Sequence, residues 1–312
     1  MHRFALLLAA LGLFVGAGPS AAPPRAPLAM FTLHQVAPHV WAAIDAPHSP
    51  AGANAGFIVG TRAILVVDTF EDAGAARQLL GAIGKISPLP IRYVVNTHYH
   101  LDHVQGNAVF AAAGATIFAQ TNVRGWIHSD NLKFFGPHPT AAQRARVAAL
   151  KGPDVTYGAG VSIDLGGITA EVAVRPGHTG GDSIVVVPSD DIVFTGDLLW
   201  NHMLPNLIDA STAPLIGSLD GLAHDHPRAT FIPGHGAIAH VSDIAALTAF
   251  LTALRRDIAA AEQQGVTGTA LVQQVEGELQ PGYGQWGLWT QFAARDITLT
   301  DEELRGVKPL PH

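Results

Sequence analysis

The chain of 312 residues contains no cysteine, which excludes disulfide bonds and metal sites built on thiolates. Basic residues are also few, since 18 Lys and Arg stand against 25 Asp and Glu, for a formal net charge of −7. Without a basic surface to hold phosphate groups, nucleic acid is a poor candidate partner. Only 14% of the residues are charged, so we expect the fold to depend on apolar burial.

The sequence also lacks an apolar run long enough to span a membrane comfortably. The run from Phe4 to Val15 is too short for that role. Arg3 precedes it and the small residues from Gly16 to Ala22 follow it, an arrangement typical of a secretory signal peptide. We therefore predict a signal peptide over residues 1–22, a periplasmic or secreted protein, and no integral membrane segment after signal removal. The sequence makes no prediction of oligomeric state.

What the chain does contain is a dense group of metal-ligand side chains, His98, His100, Asp102 and His103, directly after the apolar segment 91–95. Alternate side chains of an extended chain share a face, so this spacing predicts that His98, His100 and Asp102 converge. His103 then points away from this face, towards a second metal ion. Zinc accepts histidine nitrogen and carboxylate oxygen, but this segment alone completes neither ion.

The missing ligands are expected on later loops that follow strands and contain glycine, because metal-binding backbone needs sharp turns. Three segments fit this description, and each places a His or Asp directly after a Gly: Gly177–His178, Gly196–Asp197 and Gly234–His235. A dense motif followed by three such partners indicates a metal site rather than scattered surface histidines.

With these motifs in order from about Gly56 to Gly236, the chain resembles the metallo-β-lactamase superfamily. The resemblance implies two zinc ions per chain, with iron or manganese as alternatives. It assigns His98, His100 and His178 to one ion, Asp102, His103 and His235 to the other, and Asp197 to a bridging position. It further implies that Asp68 supports the metal loop from behind the ligands and does not itself bind metal. The all-His and Asp set is similar to that of glyoxalase II and lactonases.

The predicted fold class is α/β, because short β-branched segments such as 57–59 and 63–67 alternate with helical patterns such as 71–85. The resemblance narrows this to a four-layer αββα sandwich. We predict a catalytic domain over residues 28–240 and a C-terminal helical extension over 241–312. In the extension, helices are expected from a Ser242 N-cap to about Gln264, from Thr269 to Glu278, and from Thr300 to Arg305 after a capping box.

The expected function is hydrolysis of a small-molecule substrate at a carbonyl bond, in a lactam, lactone, ester or thioester. In such a mechanism a dizinc-bound hydroxide attacks the carbonyl, and Asp102 is the predicted catalytic residue that orients the nucleophile and accepts its proton. The loop 46–56 is expected to form a flap over the metals. His202, Asn206 and Trp126 are the predicted substrate-binding residues.

Three alternatives remain at this point. A β-lactamase proper would cleave nitrocefin efficiently. A mononuclear iron persulfide dioxygenase would use only two histidines and one aspartate, and would contain one iron per chain. A non-enzymatic, metal-bound accessory protein of a periplasmic quinoprotein system would bind a dehydrogenase and hydrolyse none of the four bond types.

Overall fold

The computed structural model describes residues 29–311, and the strands of this range form two sheets. The predicted signal peptide lies outside the described residues. The first sheet contains, in spatial order, β1 (Phe31–Ala37), β2 (Val40–Asp45), β3 (Ala55–Val59), β4 (Ile64–Val67), β5 (Ile91–Val95), β6 (Thr116–Gln120) and β7 (Val155–Tyr157). Strands β1 to β4 pair antiparallel, whereas β4 to β7 pair parallel. Parallel neighbours need crossover connections, which here contain helices.

The second sheet contains β8 (Gly160–Asp164), β9 (Thr169–Val174), β10 (Ser183–Val187), β11 (Ile192–Trp200) and β12 (Thr230–His235). Its spatial order is β12-β11-β10-β9-β8. Only β11 and β12 pair parallel, and the other neighbours are antiparallel. The sheet therefore brings the ends of β9 and β12 and the interior of β11 towards one edge.

The described helices are α1 (Ala73–Ile86), α2 (Leu101–Val104), α3 (Asn107–Ala112), α4 (Val123–Ser129), α5 (Ala141–Ala148), α6 (Thr212–Asp225), α7 (Val241–Gln263), α8 (Gly268–Tyr283) and α9 (Trp289–Leu304). A 3-10 helix covers Asp130–Phe135. The start of α1 is set by Asp72, whose carboxylate accepts hydrogen bonds from two backbone amides of the first turn. None of the described helices is long and apolar enough to cross a membrane.

The layers follow from where apolar side chains pack. Val67 of the first sheet and Phe194 of the second belong to a buried cluster between the two sheets. Leu79 of α1 covers the outer face of the first sheet, and Leu219 of α6 belongs to a cluster on the outer face of the second. The order of layers is helix, sheet, sheet, helix, which confirms the predicted αββα sandwich.

Helices α7 to α9 confirm a helical C-terminal extension and correct its details. The predicted Ser242 N-cap is wrong, because α7 begins one residue earlier and the Asp243 carboxylate accepts a hydrogen bond from the backbone amide of His240. The predicted helix start at Thr300 is also wrong. Thr300 is fully buried inside α9, and Glu303 accepts hydrogen bonds from Thr212 instead of capping a helix. Helix α9 starts early because apolar side chains such as Phe292 bury against the neighbouring helices.

Candidate metal centre and active site

The segment that carries the first four candidate ligands is not an extended strand. Strand β5 ends before His98, and helix α2 begins directly after His100. The prediction that His98, His100 and Asp102 share one face of a strand is therefore wrong. Because the backbone turns into a helix, Asp102 and His103 lie together in α2 and face different partners from the two preceding histidines.

The structure brings all seven candidate ligands into two adjoining groups. The first group contains His98, His100, His178 and Asp197, and the second contains Asp102, His103 and His235. Within each group, one ligand-type atom of every residue lies within 4.8 Å of the others. Six of the seven side chains are buried and Asp102 is half-buried, so the second group is the more exposed of the two.

Asp197 lies between the two groups. One carboxylate oxygen, Oδ1, lies 3.0 Å from His103 Nε2, and the other, Oδ2, lies 3.3 Å from both His178 Nε2 and His235 Nε2. Asp197 is inside β11 rather than on a following loop. It lies where the pairing register between β11 and β12 shifts, next to Gly196 with φ 51°. A Cβ at Gly234 would come within 1.8 Å of Asp197 Oδ1. The glycines next to the ligands thus permit a close approach of backbone and carboxylate.

The ligand-type atoms have the properties that a metal site requires. The Nε2 atoms of His98, His103 and His235 are buried and make no hydrogen bond. A buried polar atom without a partner destabilises a protein, whereas a cation would engage these nitrogens. Histidine nitrogen and carboxylate oxygen suit zinc and also iron or manganese. The residues present therefore fit a binuclear-type metal site.

The protonation of the two groups differs. Burial lowers the pKa of His178 to about 3 and holds the pKa of His98 well below its ordinary value. Both imidazoles are therefore neutral at neutral pH, the form that binds metal. Burial acts in the same direction on His235, but the negative charges of Asp197 and Asp102 outweigh it and raise its pKa to about 9. The carboxylates thus act most strongly on the second group.

Asp68 holds the metal loop from behind. Its carboxylate accepts hydrogen bonds from the backbone amide of Thr97 (2.8 Å), from Thr97 Oγ1 (2.7 Å) and from His103 Nδ1 (2.8 Å). Asp68 belongs to neither ligand group. It adopts φ 55° directly after β4, a backbone conformation rare outside glycine. These contacts orient the His103 ring so that Nε2 faces Asp197.

A second buried carboxylate, Asp209, was not predicted from the sequence. It accepts hydrogen bonds from His100 Nε2 at 2.9 Å, from the hydroxyl of Tyr99 and from Lys133 Nζ. Burial alone would raise the pKa of Asp209, but the hydrogen bonds from His100 and Lys133 lower it. Asp209 orients His100 so that its Nδ1 faces His178, whose Nε2 lies 3.0 Å away.

A cavity of about 930 Å³ opens above the two groups, and His100, Asp102, Asp197 and His235 form part of its floor. Its size lies within the range of roughly 300–1,000 Å³ typical of small-molecule sites. Residues 47–49 and Gly52 of the predicted flap line one side of the cavity. Leu288 and Phe292, at the start of α9, line another. The C-terminal helices therefore contribute directly to the wall of the site.

The three predicted substrate-binding residues have different positions. Asn206 lines the cavity. His202 is outside the lining, because its backbone turns at φ 51° and its ring faces Asp243 and Trp286. Trp126 is also outside the lining, since it packs edge-on against Tyr99 at the back of the metal loop.

Comparison with known proteins places these features in a family. Residues 48–255 match the model of the metallo-beta-lactamase superfamily. Among curated proteins, the hydroxyacylglutathione hydrolases of Brucella ovis and Brucella canis are 28% identical over 130 residues. Each match covers 42% of this chain and 42% of the relative, so the chain spans less than half the length of these relatives.

Among solved structures, a metallo-beta-lactamase from Pontibacter korlensis superposes with a TM-score of 0.58. The alignment covers 71% of this chain and 99% of the other, at 20% sequence identity. At that identity the likeness concerns the fold alone. The two sheets and the order of layers are therefore those of a known architecture.

Proposed function

The chain belongs to the metallo-β-lactamase superfamily, and from this premise we propose that it is a metal-dependent hydrolase of a small carbonyl compound. The observation that carries the proposal is the position of the two His and Asp groups on the floor of a cavity of about 930 Å³. The bonds we consider are those of a thioester, lactone, ester or lactam. The similarity to hydroxyacylglutathione hydrolases supports the thioester first.

The residues that would hold two metal ions are the members of the two groups described above, with Asp197 between them. When bound, two zinc ions supply a hydroxide at neutral pH and polarise a carbonyl oxygen. Asp68 and Asp209 keep His103 and His100 in the orientation that turns the other ring nitrogen of each towards the groups. Such outer contacts also raise the basicity of a ligand.

Asp102 is the residue that we assign to proton transfer. It is the half-buried member of the groups, it lines the cavity, and its Oδ2 lies 3.2 Å from His235 Nε2. Burial alone would raise the pKa of Asp102, but the neighbouring charges of His103 and His235 lower it. The carboxylate is therefore ionised at neutral pH and can accept a proton from a nucleophile within the cavity.

The test combines metal analysis with an assay panel. We expect about two metal ions per chain, hydrolysis of at least one of the four bond types, and loss of turnover on chelation. Turnover that survives complete chelation would refute the proposal. One iron per chain with persulfide oxidation would instead establish a dioxygenase, and efficient nitrocefin cleavage would establish a β-lactamase. Firm binding to a quinoprotein dehydrogenase without hydrolysis would indicate an accessory protein.

Export is a separate proposal, because it depends on residues 1–22 alone. We propose that the chain is processed after a signal peptide and acts in the periplasm or outside the cell. N-terminal sequencing of protein recovered from those fractions should show a new terminus between residues 20 and 23. Recovery of the intact chain only from the cytoplasm would contradict this.

A further inference from the structure

The wall of the cavity is apolar over much of its extent. Side chains from four separate parts of the chain contribute to it, namely Leu101, Phe134, Trp200, Met203, Leu288 and Phe292. These side chains would bury the apolar body of a substrate, and burial of apolar surface is the main source of affinity in such sites.

The charged groups of the wall are all acidic. Apart from the two metal groups, the carboxylates of the lining are Asp45 and Glu71, the other ionisable side chain is His48, and no Lys or Arg lines the cavity within residues 29–311. Glu71 is paired at 2.9 Å with Arg146, which lies outside the lining. Asp45 accepts a hydrogen bond from the neutral hydroxyl of Ser49 at 2.5 Å. A substrate within the cavity therefore meets negative charge that is only partly compensated.

The cations nearest in sequence to the lining lie outside it. Lys133, next to Phe134, donates to the buried carboxylate of Asp209. Arg295 donates to Asn206 Oδ1 at 2.8 Å and lies over the ring of Phe292, 4.3 Å from its centroid. An anionic group on a substrate would find no Lys or Arg among the lining side chains, so the wall itself would not compensate its desolvation.

We propose that the cavity selects acyl compounds with an apolar body that are uncharged or cationic, and that it disfavours anionic conjugates such as those of glutathione. This inference rests on the proposed carbonyl hydrolysis and specifies its substrate class. An uncharged substrate avoids the desolvation cost, and a cationic one gains from Asp45. Selection by the wall acts on binding, so the effect should appear mainly in KM.

The test uses phenylacetyl thioesters of three thiols of similar length: thiocholine, 2-mercaptoethanol and 2-mercaptoethanesulfonate. They differ in charge, and a sulfonate is a weaker metal ligand than a carboxylate. For the metal-loaded enzyme we expect kcat/KM for the cationic and neutral thioesters to exceed that for the anionic one by roughly tenfold, the size of one nearby charge interaction near a protein surface. Equal or better cleavage of the anionic thioester would overturn the inference.

A gain-of-charge variant makes the test specific to the wall. Gln291 is exposed and lines the cavity, so Gln291→Lys would add a cation there. Thr298→Lys is the matched control, because Thr298 is exposed on the same helix, two turns further on, and outside the lining. We expect Gln291→Lys to lower KM for the anionic thioester several-fold and Thr298→Lys to leave it unchanged. Equal effects of the two variants would contradict a role for the wall.

Binding of the corresponding phenethyl thioethers, which cannot be hydrolysed, separates this inference from the proposed function. Calorimetry should show weaker binding of the sulfonate than of the other two thioethers, whether or not the thioesters are cleaved. If none of the thioesters, lactones, esters or lactams is hydrolysed, the proposed function fails. If the three thioethers bind equally, the charge selection fails.

Discussion

The floor of the cavity is polar and is held by hydrogen bonds, whereas the C-terminal helices that wall it pack through apolar side chains. On the floor, Asp68 and Asp209 each fix the ring of one histidine. In the C-terminal part, residues such as Leu251 and Phe292 are buried in one continuous cluster with α6. The comparison suggests that the floor determines metal binding and chemistry, while the C-terminal helices determine stability and substrate choice.

The largest expected effect is on the floor. Asp102→Ala removes the proposed proton acceptor and one member of the second group, so kcat/KM should fall by about 10²–10⁴-fold with the fold retained. The matched control is Asp72→Ala, which removes a helix cap, costs about 1 kcal/mol of stability and should leave kcat/KM unchanged. Steady-state kinetics and circular dichroism check both variants. A normal rate for Asp102→Ala would remove Asp102 from the mechanism.

In the C-terminal part the expected effect is on folding. Leu251 is fully buried in α7, so Leu251→Ala should lower the free energy of unfolding by about 2–5 kcal/mol without changing metal affinity. Leu251→Met, which conserves volume, should cost less than about 1.5 kcal/mol. Denaturant unfolding and metal titration of the folded protein measure the two quantities. If Leu251→Ala also lowers metal affinity, the floor and the C-terminal helices do not have separate roles.

A buried acid in α9 should make stability depend on pH. Burial raises the pKa of Asp296 from an ordinary 3.8 to about 8, and Arg295 and the backbone amide of Leu207 compensate only in part. The folded state therefore holds a proton that the unfolded chain releases, so this contribution is complete below about pH 4 and is lost as pH rises towards 8. Asp296→Asn should remove this pH dependence. Between pH 5 and 8, the free energy of unfolding of the variant should therefore change by up to a few kcal/mol less than that of the unmodified protein. If the free energy of unfolding of Asp296→Asn depends on pH as steeply as that of the unmodified protein, Asp296 is not a buried uncharged carboxyl.

The smallest effect is expected from the support of His100. Asp209→Asn keeps the size of the side chain but removes its charge, so metal affinity should fall by about 10–100-fold. Competition with a chelator measures this directly. The control is Asp225→Asn, at an exposed carboxylate that pairs with Arg175 and belongs to neither ligand group. If both variants bind metal as the unmodified protein does, Asp209 has no positioning role.

Secondary structure could be predicted where a local signal was strong. The helix expected over 71–85 is α1, 73–86, because Asp72 caps it as its position beside an apolar periodicity suggests. The same reasoning failed at Thr300, where a Thr with a Glu three residues later resembles a capping box. Thr300 is buried within α9, because contacts with other helices outweigh a local capping preference.

Asp209 and Lys133 could not be predicted, because nothing in the sequence near them indicates a role in the site. Asp209 lies 109 residues from His100 along the chain, and only the packing of the two sheets brings them together. The expectation that alternate side chains share a face also failed between His98 and Asp102, because it assumes a strand that the chain does not form there. Both failures concern three-dimensional position rather than residue type.

The amino-acid sequence alone determined which side chains can bind metal, since a dense His and Asp motif and three Gly-flanked partners are properties of local residue order. It also determined the α/β class, through alternating apolar patterns. Only the tertiary structure decided that Asp209 orients His100 and that α9 walls the cavity with apolar side chains. These features depend on contacts between residues distant in the chain, which local patterns do not encode.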